Sequence, residues 1–235
     1  MIAMRFETEV IEIIQRTHNV RSFRFPRPTS FTYKPGQYMF ITIKKGQGQL
    51  RKPFSISSSP TEGGFIEFTK KFTDHPFSMT LKDMKVGDWA AIDGPYGNFT
   101  FEGEFDRVGM MSGGVGITPL KSICKYCADT MSKAKITLLY GNRTEEDIIF
   151  RKEFEEMQKL YKNLKVVFTV DEPNARWTGR VGVIDAGMIK DEIPDYLKTV
   201  FYLCGPPGMV EALRKLLGNM GIQGDQIKTE NFQGY

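Results

Sequence analysis

Two glycine-rich loops carry the clearest chemistry in this chain. "SGGVG" at 112–116 follows the apolar "RVGMM", and "CGPPG" at 204–208 follows "TVFYL". Glycine lets backbone amides approach a diphosphate, and the N-terminus of a following helix adds partial positive charge. The candidate residues are Gly113, Gly114, Val115 and Gly116 in the first loop, and Cys204, Gly205, Pro206, Pro207 and Met209 around the second. Thr118 and Pro119 suit a helix start, because a first-turn proline loses no needed hydrogen bond. Alone, "GGVG" fits a tight strand-to-helix turn as well as it fits a ligand loop, and it is not the G-x-G-x-x-G fingerprint. Two such loops on one sheet edge strengthen the nucleotide reading.

Cys124 and Cys127 form a C-x-x-C, a spacing that also serves redox or metal chemistry. They share a helical face with Leu120, Ile123, Ala128 and Met131, which favours two small core residues. No second C-x-x-C and no histidine cluster completes a zinc site, so no metal is expected. The net charge of +4 is spread along 235 residues without a basic block. That argues against nucleic acid and fits a phosphate-bearing small molecule or an acidic protein partner. No apolar run approaches the roughly 20 residues of a membrane helix, and "MIAMRFETEV" alternates like a strand, so a cytoplasmic protein is expected.

These loops need a sheet to hold them. Up to about residue 103 the sequence reads as short strands: "RFETEVIEII", "VRSFRF", "QYMFITI", "PFSIS", "GFIEFTK" and "DWAAIDG", with one short helix around "SMTLKDM". Turn signals at this spacing point to an antiparallel barrel or sandwich. After residue 106 strands and helices alternate, which points to a parallel sheet wrapped by helices. Helices are expected from Pro119 to Met131, over "EEDIIFRKEFEEMQKLY" and over "MVEALRKLLGNM", with "EPNARWTGRVG" irregular. The expected domains are 1–103 and 104–235, hinged at 102–106.

With "PGQYMFI", "KPFSISS", "GDWAAIDGPYGNF", "GGVGITPL", "YGNRTEEDIIF", "CGPPGM" and "ENFQGY" in order along the chain, the sequence resembles the ferredoxin–NADP reductase family. The resemblance implies a β-barrel carrying a flavin, followed by an α/β domain carrying NADPH or NADH. The family's Arg-x-Tyr-Ser flavin motif falls on Lys52, Pro53, Phe54 and Ser55, with Arg51 as a neighbouring cation that compensates for the lysine. Phe68, Thr69 and Lys70 match a segment whose backbone holds the flavin. The Gly-x-x-Ser segment that offers amides to the diphosphate reads His75, Pro76, Phe77 and Ser78. The resemblance implies FAD, and these departures leave room for FMN or for weak flavin binding.

By the same resemblance, Ser55, Cys204 and Glu230 line the contact between nicotinamide and flavin, and Phe232 or Tyr235 covers the flavin. Asn142 and Arg143 of "GNRT" belong to the nucleotide side. Arg143 with Arg151 or Lys152 suits a 2′-phosphate, a slight preference for NADPH, although Glu145 and Glu146 follow closely. The implied activity is hydride transfer from NAD(P)H to flavin, then electrons to a separate redox protein such as ferredoxin or flavodoxin. That acceptor is expected because no iron–sulfur module lies between Met1 and Tyr235. Two other readings stay open: a free flavin reductase, and an electron-relay or regulatory subunit of a larger complex.

Overall fold

The structure, a computed structural model, describes residues 3–231. "RFETEVIEII" does not form one strand. It breaks at Val10 and Ile11 into β1 (Met4–Glu9) and β2 (Glu12–Thr17). Val10 is buried, and its N–H donates to Asp88 O at 2.9 Å, while the Ile11 N–H donates to Arg24 O at 2.9 Å. The chain therefore turns a corner between two sheets without orphaning its donors.

β3 (Val20–Pro26), β4 (Tyr38–Lys45), β5 (Gly48–Ser55), β6 (Phe65–Lys71), α1 (Pro76–Asp83) and β7 (Trp89–Tyr96) complete the first half. Its strands pair antiparallel in the orders β1-β7-β4-β5 and β2-β3-β6. Alternate residues of both sheets point into one core. Its centre is Phe68, whose ring stacks on Phe54 at 4.7 Å, Phe23 at 5.3 Å and Phe25 at 5.9 Å. Each such ring contributes roughly 1.5–3 kcal/mol on burial.

The pairing changes to parallel in the second half. β8 (Arg107–Gly113), α2 (Ile117–Asp129), β9 (Lys135–Asn142), α3 (Arg151–Leu160), β10 (Leu164–Val170), β11 (Arg180–Val181), α4 (Ala186–Glu192), β12 (Val200–Gly205), α5 (Pro207–Asn219) and β13 (Ile227–Asn231) follow in turn. Strand order is β11-β10-β9-β8-β12-β13. Met110 packs toward α2 and α3, while Met111 packs toward α4 and α5, so the alternation buries both faces.

The helix expected over "EEDIIFRKEFEEMQKLY" is split. A 3₁₀ turn at Glu145–Asp147, closed by reciprocal Thr144–Asp147 bonds, precedes Ile148, Ile149 and Phe150, and α3 begins only at Arg151. Those three successive apolar residues are all buried, which one helical face cannot achieve. Phe150 takes a left-handed conformation, φ 61°, to restart the helix. Beyond "EPNARWTGRVG" comes a helix not expected from the sequence, α4, whose Asp185 cap accepts from the Met188 N–H at 2.7 Å. Cys124 and Cys127 lie buried on α2, in its core contact with β8. Among the described residues no helix is long and apolar enough to cross a membrane.

Candidate functional site

In an open parallel sheet, ligands sit beyond the carboxyl ends of the strands where strand order reverses. Here that point lies between β8 and β12, and both glycine loops leave from it. The glycines do different jobs. A Cβ on Gly116 would lie 2.5 Å from Gly205 Cα and 2.7 Å from Cys204 O, and one on Gly113 would lie 2.4 Å from Met209 Sδ. What comes too near for side chains at these positions is the second loop itself. Gly114 differs: its φ is +53° and its Cβ direction is open. Its backbone is the part of the loop free to meet a ligand, and its carbonyl is anchored by the Tyr140 hydroxyl at 2.9 Å. A 3₁₀ turn over Gly114–Gly116 leads into α2 at Ile117, two residues before the expected Pro119 start. Val115 is buried beneath the turn, and Thr118 Oγ1 donates to its carbonyl at 3.3 Å. Pro206 caps α5 and Pro207 opens its first turn.

Cys204 stands between Ser112 on β8 and Glu230 on β13, paired in register with both. Ser112 Oγ and Glu230 Oε2 are buried with no hydrogen-bond partner. Burial pushes the Glu230 carboxyl up to about 7. Burial, with Glu230 adding to it, holds the Cys204 thiol well above its ordinary value, so it stays protonated. This row of thiol, hydroxyl and carboxyl is a polar strip awaiting partners.

On the antiparallel side, Ser55 closes β5 with its hydroxyl oxygen buried and also without a partner. The rings of Phe54, Phe68 and Phe77 turn into the core, Phe54 and Phe77 with centroids 5.3 Å apart. The Thr69 hydroxyl bonds Ser22 at 2.7 Å and Ser57 at 3.0 Å. Arg51 is paired beside Lys52: its guanidinium binds Asp93 at 2.5 Å and lies over Phe40, while Pro53 is exposed. Lys70 instead stands near Lys52. Burial, then the Lys52 charge, lowers Lys70 to about 8. Two lysines that feel each other's charge suit a bound anion. At α1, Pro76 occupies a first-turn position where its missing N–H costs little. The following amides of Phe77 and Ser78 begin the helix, and the Ser78 hydroxyl accepts from the Thr73 N–H at 2.8 Å.

A cleft of about 1000 Å³ opens beside Gly113 and Gly114 and runs past Asn142, Arg143 and Met209. The Asn142 amide is buried and unpartnered. Arg143 is exposed and paired with Glu172 at 3.0 Å. Arg151 lies outside the lining of this cleft, bonded to Glu145 and Glu155 and placed over Trp177. The carboxylates Glu146, Asp147, Asp171, Glu172 and Asp185 line the cleft instead. His18 and Lys71, from the first half, close its other side. Of these groups sequence reasoning named only Glu146. Asp171 had a signal, since it directly follows a parallel strand at its carboxyl end. Phe232 and Tyr235 lie outside the described residues.

Orphaned hydroxyl, amide and carboxyl groups at the strand ends are a polar set a flavin and a nicotinamide nucleotide would satisfy, with Lys52 and Lys70 adding positive charge on β5 and β6. Comparison with known proteins agrees. A family model for an oxidoreductase FAD-binding domain matches residues 7–101, and one for an oxidoreductase NAD-binding domain matches residues 110–215. The chain is 30% identical over 236 residues to the glycine betaine monooxygenase reductase subunit of Chromohalobacter salexigens, covering 97% of this chain and 64% of that protein. It therefore spans just under two thirds of that relative's length. It is 31% identical to NADH-cytochrome b5 reductase 1 of Dictyostelium discoideum, covering 90% of this chain and 77% of the relative. The crystal structure of the cytochrome b5 reductase domain of Ulva prolifera nitrate reductase superposes with TM-score 0.84 at 28% identity, covering 97% of both chains.

Proposed function

The chain belongs to the family of oxidoreductases that join an FAD-binding to an NAD-binding domain, and on that premise we propose that it takes hydride from NADH and passes electrons singly to another redox protein. The observation that carries this reading is the strip Ser112–Cys204–Glu230 at the switch point, with its unpartnered polar atoms. When bound, FAD supplies two-electron acceptance and one-electron release, chemistry no side chain offers.

The chain's own residues bind and orient. Lys52 and Lys70 would hold the negative charge of the flavin phosphates, with the first-turn amides of α1. The Ser55 hydroxyl would face the flavin ring. Gly114 would present its backbone to the nucleotide diphosphate. Glu230, whose carboxyl burial pushes up to about 7, would offer a proton at the nicotinamide end of the site, and the protonated Cys204 thiol would line the same place without competing as a base.

The cleft charges favour NADH over the NADPH expected from Arg143. A 2′-phosphate would enter among five carboxylates, and the arginine that would meet it is already neutralised by Glu172. For the acceptor, support comes from the relatives, named as reductases of a monooxygenase system and of cytochrome b5. The test is NADH-driven reduction of a one-electron acceptor, cytochrome b5 or a ferredoxin, by apoprotein with and without added FAD. FAD-dependent turnover is expected. Turnover only of free flavin, with no protein acceptor reduced, would refute the acceptor assignment.

A further inference from the structure

A buried ionic cluster crosses the boundary between the two halves. Glu67 on β6, whose side chain is 0% exposed, binds Arg16 at 3.1 Å and Arg24 at 2.8 Å. Its other oxygen accepts from Ser57 at 3.0 Å. Arg16 then reaches Glu153 of α3 at 2.5 Å. Lys121 of α2, only 3% exposed, binds Glu62 at 3.2 Å and lies 3.8 Å from Glu153. Between the two cations sits the Phe150 ring, 4.7 Å from the Arg16 guanidinium and 5.6 Å from Lys121 Nζ. One residue along, the Ser122 hydroxyl donates to Ser58 O at 2.6 Å, also buried.

The elements it joins matter. β6 carries Phe68, Thr69 and Lys70, Ser57 and Ser58 follow Ser55, and Lys121 lies on the helix that the Gly113–Gly116 loop opens. Burial alone would push the Glu67 carboxyl up; the fields of Lys121, Arg16 and Arg24 overcome it and hold the group below the ordinary range. Buried charges of this kind are tolerated only while every partner is present, so the cluster is satisfied in one placement of the halves.

We infer that Lys121 and Arg16, with Glu67 and Glu153, are positioning residues that fix the flavin-side strand against the nucleotide-side helix and so set the distance of hydride transfer. The inference rests on the proposed function. A misplacement of about 1 Å costs on the order of a hundredfold in rate, far more than it costs in binding. The cluster should therefore govern the rate of the step and leave nucleotide affinity nearly alone.

The experiment is anaerobic stopped-flow bleaching of the FAD-loaded protein across a range of NADH concentrations, with flavin content and melting temperature measured in parallel. Lys121→Met is expected to lower the limiting rate at least tenfold while the NADH dissociation constant changes less than about twofold. Lys121→Arg, which keeps the charge, should retain most of the rate. If Lys121→Met does not fold, Glu153→Gln, which removes the charge of the cluster's half-exposed member, should lower the limiting rate about two- to fivefold. A wild-type limiting rate in the variant, whatever its melting temperature, would overturn the inference and leave the cluster a stabilising feature. Failure of the wild type itself to bleach would instead overturn the functional reading on which the inference stands.

Discussion

Gly116 and Gly205 touch backbone to backbone: a Cβ on Gly116 would lie 2.5 Å from Gly205 Cα. The two ligand loops thereby brace each other at the switch point, and the open face is left to Gly114. Gly116→Ala has no flexible neighbour to push aside, so it should destabilise by about 1–3 kcal/mol. Gly208, with nothing near its Cβ direction, should accept alanine without loss. Denaturant midpoints of the two variants check the contrast; equal midpoints would show that the loops can separate freely.

The buried Glu230 carboxyl gives a pH signature. Its folded value of about 7 lies above the ordinary 4.5, so the folded chain holds this proton more tightly than the unfolded chain. The associated stability is fully present below about pH 4.5 and is lost as pH rises to 7 and beyond. Glu230→Gln removes that loss. Relative to wild type it should gain roughly 2–3 kcal/mol at pH 8 and almost nothing at pH 4.5. A difference independent of pH, measured by urea titration at both values, would contradict the burial argument.

Lys70 runs the other way. Burial and the Lys52 charge bring it to about 8, so the folded protein sheds this proton early, and its cost to stability fades as pH rises from about 8 toward 10.5. An anion placed beside the two lysines restores the proton. FAD binding to apoprotein near pH 8.5 should therefore take up as much as about one proton, and affinity should fall at higher pH. Calorimetry in two buffers of different ionisation enthalpy measures the uptake. Lys70→Gln should abolish it; uptake unchanged in that variant would place the phosphates elsewhere.

The exposed pair Arg143–Glu172 offers a test of nucleotide choice. Glu172→Gln frees the guanidinium without removing it, so NADPH affinity should rise several-fold while NADH changes little. Dissociation constants for both nucleotides decide this. A rise shared equally by both would mean that Arg143 does not face the 2′ position.

Much of this fold was legible because its signals are local. Strand alternation, the change of rhythm after residue 106 and the glycine loops place Gly113, Gly114 and Cys204 at one sheet edge. What sequence could not give depends on partners far away in the chain. Arg51 looks available until Asp93 is seen beside it, and Arg143 until Glu172 is. "RFETEVIEII" alternates throughout, yet Asp88 and Arg24 draw its two halves into different sheets. Glu67 resembles any strand glutamate, and only the fold shows it sealed among three cations.

The central claim, that NADH and FAD meet on this chain, is tested most directly by adding NADH to the FAD-loaded protein without oxygen and following the flavin absorbance. The account predicts a bleaching phase whose rate saturates with NADH, reached at lower concentration than with NADPH, and slowed at least tenfold by Ser55→Ala, about 1.4 kcal/mol of barrier, with flavin content unchanged. A protein that binds no FAD, or whose bound flavin keeps its full absorbance under excess NADH, would contradict it.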